Sequence, residues 1–191
     1  MSAANLEKNN VPFVDFSTQF ALSSSVDEVE DAIISGILEI AKKASQGKID
    51  KVGSLVVLGN FEKFGPKIEG MTEMKPGKNP IKNLHMVNTS DVKLIFAYSV
   101  PPADGAIIID RSGQIIGAGI YLVIDNPLID VPHDCGTRHK AAASFSLRDD
   151  VIAVYTLSEE TNLTRIWKNG IIEKVIDIKE NRATRANEGR R

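Results

Sequence analysis

Residues 136–176 read GTRHKAAASFSLRDDVIAVYTLSEETNLTRIWKNGIIEKVI, and four local signals follow one another along that stretch. Gly136 and Thr137 open a helix that runs to about Leu147. Ala141, Ala142 and Ala143 drive it, because alanine loses least entropy in a helix. Val151 to Leu157 is rich in β-branched residues and reads as a strand. The polar turn Ser158-Glu159-Glu160-Thr161 follows. Leu163 to Lys168 and Ile171 to Ile176 then flank Asn169-Gly170, the dipeptide that most strongly specifies a two-residue hairpin. A helix followed by strands joined through tight turns predicts helices packed on a mixed sheet.

Working outward, Ala106 to Asp110 and Gln114 to Ile124 are two further strands joined by the turn residues Arg111, Ser112 and Gly113. Asn126-Pro127 opens a loop after them. Ser54 to Leu58, bracketed by Gly53 and Gly59, is a short apolar run expected to be a buried strand. Before it, Ser25 and Glu28 have the spacing of a capping box. Val29, Ile33, Ile37, Ile40 and Ala44 recur at helical period from there, and Gly47 ends the helix. Residues 60–88 read as irregular, with room for one short helix. Residues 91–100 are strand-like in composition, and Pro101-Pro102 ends whichever element they form. The chain divides into an N-terminal arm (1–24), one domain (25–178) and a basic tail (179–191) whose polar composition predicts disorder.

The 191 residues, 42% of them hydrophobic and 25% charged, suit one core. The net charge of −2 gives no whole-molecule field to recruit nucleic acid. The single cysteine, Cys135, excludes an intrachain disulfide. Without a signal-like or membrane-length apolar segment, the expectation is a cytoplasmic protein with no membrane or nucleic-acid partner.

Three clusters carry chemistry. Asp104-Gly105-Ala106 precedes a strand; glycine there allows close approach to the backbone, although the same tripeptide is ordinary turn chemistry. Gly136-Thr137-Arg138-His139-Lys140 lies at a helix start, where N–H groups and the dipole favour phosphate. Arginine, histidine and lysine oppose the dipole there and add donors, an arrangement that favours a bound anion over a plain N-cap. Ser158-Glu159-Glu160-Thr161, after a buried strand, offers a hydroxyl and carboxylates to phosphate or metal; alone, it reads as a polar turn. Other patterns are set aside. Gly117-Ala118-Gly119 is not a dinucleotide fingerprint. The three histidines lack metal-ligand spacing. Cys135 reads as a buried or incidental thiol, and Trp167 as core.

Taken together and in this order, the clusters resemble the signature of the diadenylate cyclase (DAC) domain, the DisA-type cyclic di-AMP synthases. Tyr121-Leu122 and Trp167-Lys168-Asn169-Gly170 fit as well, and the resemblance is closest from about residue 103 to 176. It implies an α/β fold with a mixed, mostly antiparallel sheet of about seven strands flanked by helices. It also implies that the segment before Pro101 is helical. The reaction it implies is a nucleotidyl transfer that joins two ATP molecules into cyclic di-AMP, a second messenger, with release of two pyrophosphates. Each protomer holds one ATP, so a face-to-face homo-oligomer is required.

By the same resemblance, Asp104, Arg138 and His139 are catalytic. Gly105, Ala106, Tyr121 and Leu122 contact the nucleoside. Gly136, Thr137, Arg138, His139 and Lys140 hold phosphates, with Ser158 and Glu159 at their terminal end. Asp104 and Glu159 bind Mg2+ or Mn2+. Two departures, Ala103 where histidine is common and Lys140 where arginine is frequent, motivate an alternative: a catalytically weakened module that binds ATP or cyclic di-AMP.

Overall fold

The computed structural model describes residues 25–61, 71–73, 85–86, 105–124, 130–178 and 182–185. Two helices, α1 (Val26–Ser45) and α2 (Thr137–Phe145), pack on one sheet. Its strands are β1 (Ser54–Gly59), β2 (Met71–Glu73), β3 (His85–Met86), β4 (Ala106–Asp110), β5 (Gln114–Leu122), β6 (Val151–Leu157), β7 (Thr164–Lys168), β8 (Ile171–Asp177) and β9 (Arg182–Arg185). Their order across the sheet is β2-β5-β4-β1-β6-β7-β8-β9, with β3 also pairing with β5. Among the described strands, β1 and β4 pair parallel and the other pairs are antiparallel. The mixed, mostly antiparallel sheet expected from the sequence is present, and six of its strands are five residues or longer.

Every residue of β1 is buried, because both faces of the sheet are covered. Successive strand residues point to opposite faces. Val56 and Leu58 of β1, with Ile107 and Ile109 of β4, therefore meet Ile33, Ile37 and Ile40 of α1. Leu55 and Val57, with Ala106 and Ile108, meet Ala142 and Phe145 of α2. Each valine, leucine, isoleucine or phenylalanine side chain among them contributes about 1.5–3 kcal/mol when fully buried. The alanines of α2 let that helix lie close to the sheet.

The helix ends follow local chemistry. Ser25 Oγ accepts from the Glu28 N–H at 3.2 Å and Glu28 Oε2 accepts from the Ser25 N–H at 3.0 Å, completing the capping box. Gly47, with φ +66°, takes the left-handed conformation just beyond α1. At the far end of α2, Ser146 is 3% exposed. Its carbonyl accepts from the Asn169 N–H at 3.0 Å and its Oγ accepts from the Gly170 N–H at 2.9 Å. Helix α2 thus stops at Phe145, short of Leu147, and is fastened to the β7–β8 hairpin. Asn169 and Gly170 both have positive φ, 52° and 79°, as a type I′ turn requires. Trp167 is core, its Nε1–H donating to Thr156 Oγ1 at 3.0 Å. Lys168 pairs with Glu30 at 3.0 Å and Glu173 at 3.4 Å, tying α1 to the hairpin.

Three boundaries differ from the sequence reading. Strand β5 ends at Leu122 rather than Ile124. Residues 60–88, expected to be irregular, contain β2 and β3. Within the tail expected to be disordered, Arg182–Arg185 pair with Lys174–Asp177 of β8. Backbone hydrogen bonding on an open sheet edge asks little of side-chain composition, so a polar segment can add a strand. The arm (1–24) and the segment 91–100 lie outside the described residues. No helix among the described residues is long and apolar enough to cross a membrane.

Candidate functional site

The register of the central strands brings the sequence clusters together. Ser54 at the start of β1 pairs with Leu157 at the end of β6, and Ala106 at the start of β4 pairs with Ile120 near the end of β5. Because β1 and β4 are parallel, all four ends lie on one side of the sheet. A cleft of about 810 Å³ opens there, on the face covered by α2. Gly105, Ala106, Tyr121 and Leu122 line it from the strand ends; Gly136, Thr137, Arg138 and His139 from the start of α2; Ser158 and Glu159 from the turn after β6. Lys140 does not line it and is exposed. Asp104 lies outside the described residues, immediately before Gly105.

Each wall has a local cause. Gly105 has φ +139°, and a Cβ there would sit 2.7–2.9 Å from backbone atoms of Gly119 and Ile120. Glycine is required at the point where β4 enters beside β5. At the strand end, both residues border the cleft; Leu122 is buried and Tyr121 is 54% exposed. Ser158 Oγ accepts from the Thr161 N–H at 3.3 Å, and Asn162 N–H bonds the Ser158 carbonyl at 2.9 Å. That turn presents Glu159 and Glu160 as exposed carboxylates at the rim.

Helix α2 begins at the N-cap Gly136, which supplies no side-chain cap, and its first turn holds no acidic residue. The first N–H groups of a helix lack intrahelical acceptors. An anion in the cleft would complement them and the dipole. Arg138 sits against Gly53, where a Cβ would fall 1.9 Å from Nη1. The glycine that brackets β1 therefore makes room for a guanidinium.

His139 corrects an expectation. Its place in a basic cluster suggests a cation, yet the side chain is 6% exposed, and burial pushes its pKa down to about 4. Arg165 and Arg138 lower it further, while Asp134 opposes them. At neutral pH the ring is neutral and contributes a hydrogen-bonding donor rather than a charge. Cys135 is buried, and burial raises its pKa; Arg165 opposes that rise and Asp134 adds to it, so it stays a thiol, buried as expected.

Three polar residues were not legible as part of the site. Lys51 and Asp134 line the cleft, and Arg165 of β7, 4% exposed, lies behind His139. Arg165 ion-pairs through Nη2 with Asp134 Oδ2, and its Nη1 lies 3.4 Å from His139 Nε2. The one available signal was an arginine within the apolar run Leu163 to Trp167, since a buried arginine must have a partner.

Among the described residues, no three His, Cys, Asp or Glu side chains gather as a metal cluster. The carboxylates of Glu159 and Glu160 are nonetheless hard oxygen donors, the type that Mg2+ and Mn2+ take together with phosphate oxygens and water.

Comparison with known proteins finds a family, described as DAC, DisA bacterial checkpoint controller nucleotide-binding, matching residues 41–172. A protein named diadenylate cyclase from Haloferax volcanii is 29% identical over 141 residues, which make up 73% of this chain and 49% of that protein. A second protein of that name, from Methanocaldococcus jannaschii, is 29% identical over 166 residues, 86% of this chain and 52% of that one. The chain spans about half the length of these two relatives. Among solved structures, DacA from Staphylococcus aureus in a doubly substituted form superposes with TM-score 0.53 at 22% identity, covering 81% of this chain and 90% of that one. A protein from Bacillus cereus titled hypothetical membrane spanning protein superposes with TM-score 0.55 at 24% identity, covering 76% and 62%. These superpositions establish the likeness of fold.

Proposed function

The chain belongs to the DAC domain family, and from that membership we propose that it is a diadenylate cyclase, condensing two ATP molecules into cyclic di-AMP and two pyrophosphates where two protomers meet face to face. The observation that supports this reading is the convergence of Gly105 and Ala106, the start of α2 and the turn after β6 on one cleft, whose size falls in the range of small-molecule sites.

In this reading, the Leu122 backbone at the end of β5 contacts the adenine, and Tyr121 packs nearby. Gly105 lets the nucleoside pass close to the backbone. The triphosphate lies at the start of α2. Thr137 and the helix N–H groups bind it, Arg138 grips it with two parallel donors, and neutral His139 donates without adding charge. Ser158 holds its terminal end through the hydroxyl proton, which the Thr161 bond leaves available. Glu159, with Asp104, would hold Mg2+ or Mn2+; when bound, such an ion neutralises charge on the triphosphate.

Asp104 takes the proton from the 3′-hydroxyl of one nucleotide as that oxygen attacks the α-phosphorus of the other. The bond from that phosphorus to pyrophosphate breaks, and the second linkage forms the same way. The product is two-fold symmetric, so a two-fold pair of half-sites orients both transfers. Positioning and charge complementarity do most of the catalytic work in such transfers. ATP as substrate makes the cytoplasm the place of action.

The test is incubation of the pure protein with ATP and Mg2+ or Mn2+, with products read by mass spectrometry. Expected are cyclic di-AMP, specific activity that rises with protein concentration, and a loss of about 10²-fold or more in Asp104→Asn. ATP binding without product in either metal would refute the cyclase reading and leave the weakened binding module.

A further inference from the structure

Behind the cleft wall, one guanidinium touches two residues on either side of the N-cap of α2. Arg165 projects from near the start of β7 and is buried, 4% exposed. Its Nη2 pairs with Asp134, two residues before the N-cap Gly136, and its Nη1 faces the Nε2 of His139, in the first turn. A guanidinium only donates and is never deprotonated in a protein. Nε2 must therefore be the ring's acceptor nitrogen, and a neutral ring then carries its hydrogen on Nδ1. The ring is fixed from the other side by Trp167, with centroids 6.1 Å apart and planes at 54°. His139 lines the cleft and Arg165 does not.

We propose that Arg165 is a positioning residue for the phosphate-binding turn: it clamps Asp134 to His139 across the helix start and fixes His139 as the neutral tautomer that donates from Nδ1 to the ligand. The identity of that ligand as the ATP triphosphate rests on the proposed function; the clamp does not. The charged and titratable groups around the ring are Arg165 from β7, Asp134 and Cys135 from the segment before α2, and Arg138 beside it in the helix. Burial first, and then Arg165 and Arg138 against the half-exposed Asp134 carboxylate, keep a positive charge off the imidazole. A doubly protonated ring would also turn Nε2–H against the guanidinium and break the contact.

The experiment is ¹⁵N and ¹³C NMR of histidine-labelled protein, with the His139 signals assigned by their loss in His139→Gln. The wild-type protein is expected to show the Nδ1–H pattern at neutral pH and to protonate only near pH 4. Arg165→Met is expected to mix the tautomers, raise the protonation midpoint, and weaken ATP binding about tenfold, the worth of one charge-assisted hydrogen bond. Arg165→Lys keeps the cation but not the two-pronged reach, so its ATP affinity should fall between those two. An Nε2–H tautomer in the wild-type protein overturns the proposal, as does unchanged ATP affinity in folded Arg165→Met. If Arg165→Met does not fold, the wild-type tautomer and the Lys variant still decide. Failure to bind ATP with the Nδ1–H tautomer present would refute the nucleotide reading and leave the clamp standing.

Discussion

Replacing Gly53 by alanine tests the site without substituting any residue that lines it. An added Cβ would lie 1.9 Å from Nη1 of Arg138, 2.6 Å from Cζ and 3.2 Å from Nη2. Ordinary contact begins at 3.4 Å, so the guanidinium must withdraw by about 1.5 Å. What moves is the end of a flexible side chain, and Gly53 is not among the glycines with positive φ. The fold should therefore shift by less than about 1 kcal/mol, with a gain from the stiffer unfolded chain offsetting part of the cost. The functional cost is larger. A charge-assisted hydrogen bond displaced by more than 1 Å is worth about 1.5–3 kcal/mol, or about 10- to 100-fold in ATP affinity or turnover. Titration calorimetry with ATP, product formation by mass spectrometry, and urea unfolding would measure the three quantities. Arg138→Ala should lose a similar amount, and the double variant little more, because both changes remove one interaction. Wild-type affinity in folded Gly53→Ala, or additive losses in the double variant, would refute the reasoning.

Two further predictions concern stability. Between pH 6.5 and about pH 4 the unfolded chain binds a proton at His139 that the folded chain refuses, so stability falls as the pH drops through that window and is level above it. The full shift sets a ceiling of about 3 kcal/mol, which solvent in the adjoining cleft reduces to about 1–2 kcal/mol. Denaturant midpoints at pH 7 and pH 4.5 should show that loss in the wild-type protein and a smaller one in His139→Gln; equal losses would remove His139 as the cause. Gly105→Ala places a Cβ against the backbone of Gly119 and Ile120 at an unfavourable φ. It should cost about 2–4 kcal/mol by thermal or urea unfolding, and a cost below about 1 kcal/mol would mean that the strand entry relaxes freely.

The elements that the sequence displays most clearly are those governed by short-range chemistry. Ser25 and Glu28 announce a capping box because both partners lie within one turn. Asn169-Gly170 announces a hairpin because both residues tolerate positive φ. The three clusters could be ordered along the chain and recognised together, but their meeting depends on strand register, which brings Ser54 to Leu157 and Ala106 to Ile120. Reading Thr137 to Lys140 as one basic set ignored helical rotation. Lys140 lies about 200° around the axis from Arg138, away from the cleft. The neutral state of His139 depends on burial and on Arg165, and only the fold puts Arg165 of β7 and Trp167 against that ring. The exposed Tyr121 and buried Leu122, by contrast, follow from strand alternation alone.

Helix α2 is fastened at its start through Arg165 and at its end through Ser146, and both fastenings come from β7 and the turn that follows it. Nine helical residues span about 13–14 Å and five strand residues about 17 Å, so the strand is long enough to reach both. A beam pinned at both ends cannot slide along its axis. Its anion-facing tip is then held at a fixed height above the sheet before any ligand arrives, and little of the binding energy is consumed in bringing it there. A single-residue insertion in β7 would turn Arg165 to the opposite face and detach one pin. The length of this strand, which does not line the cleft, thus sets where the helix tip stands.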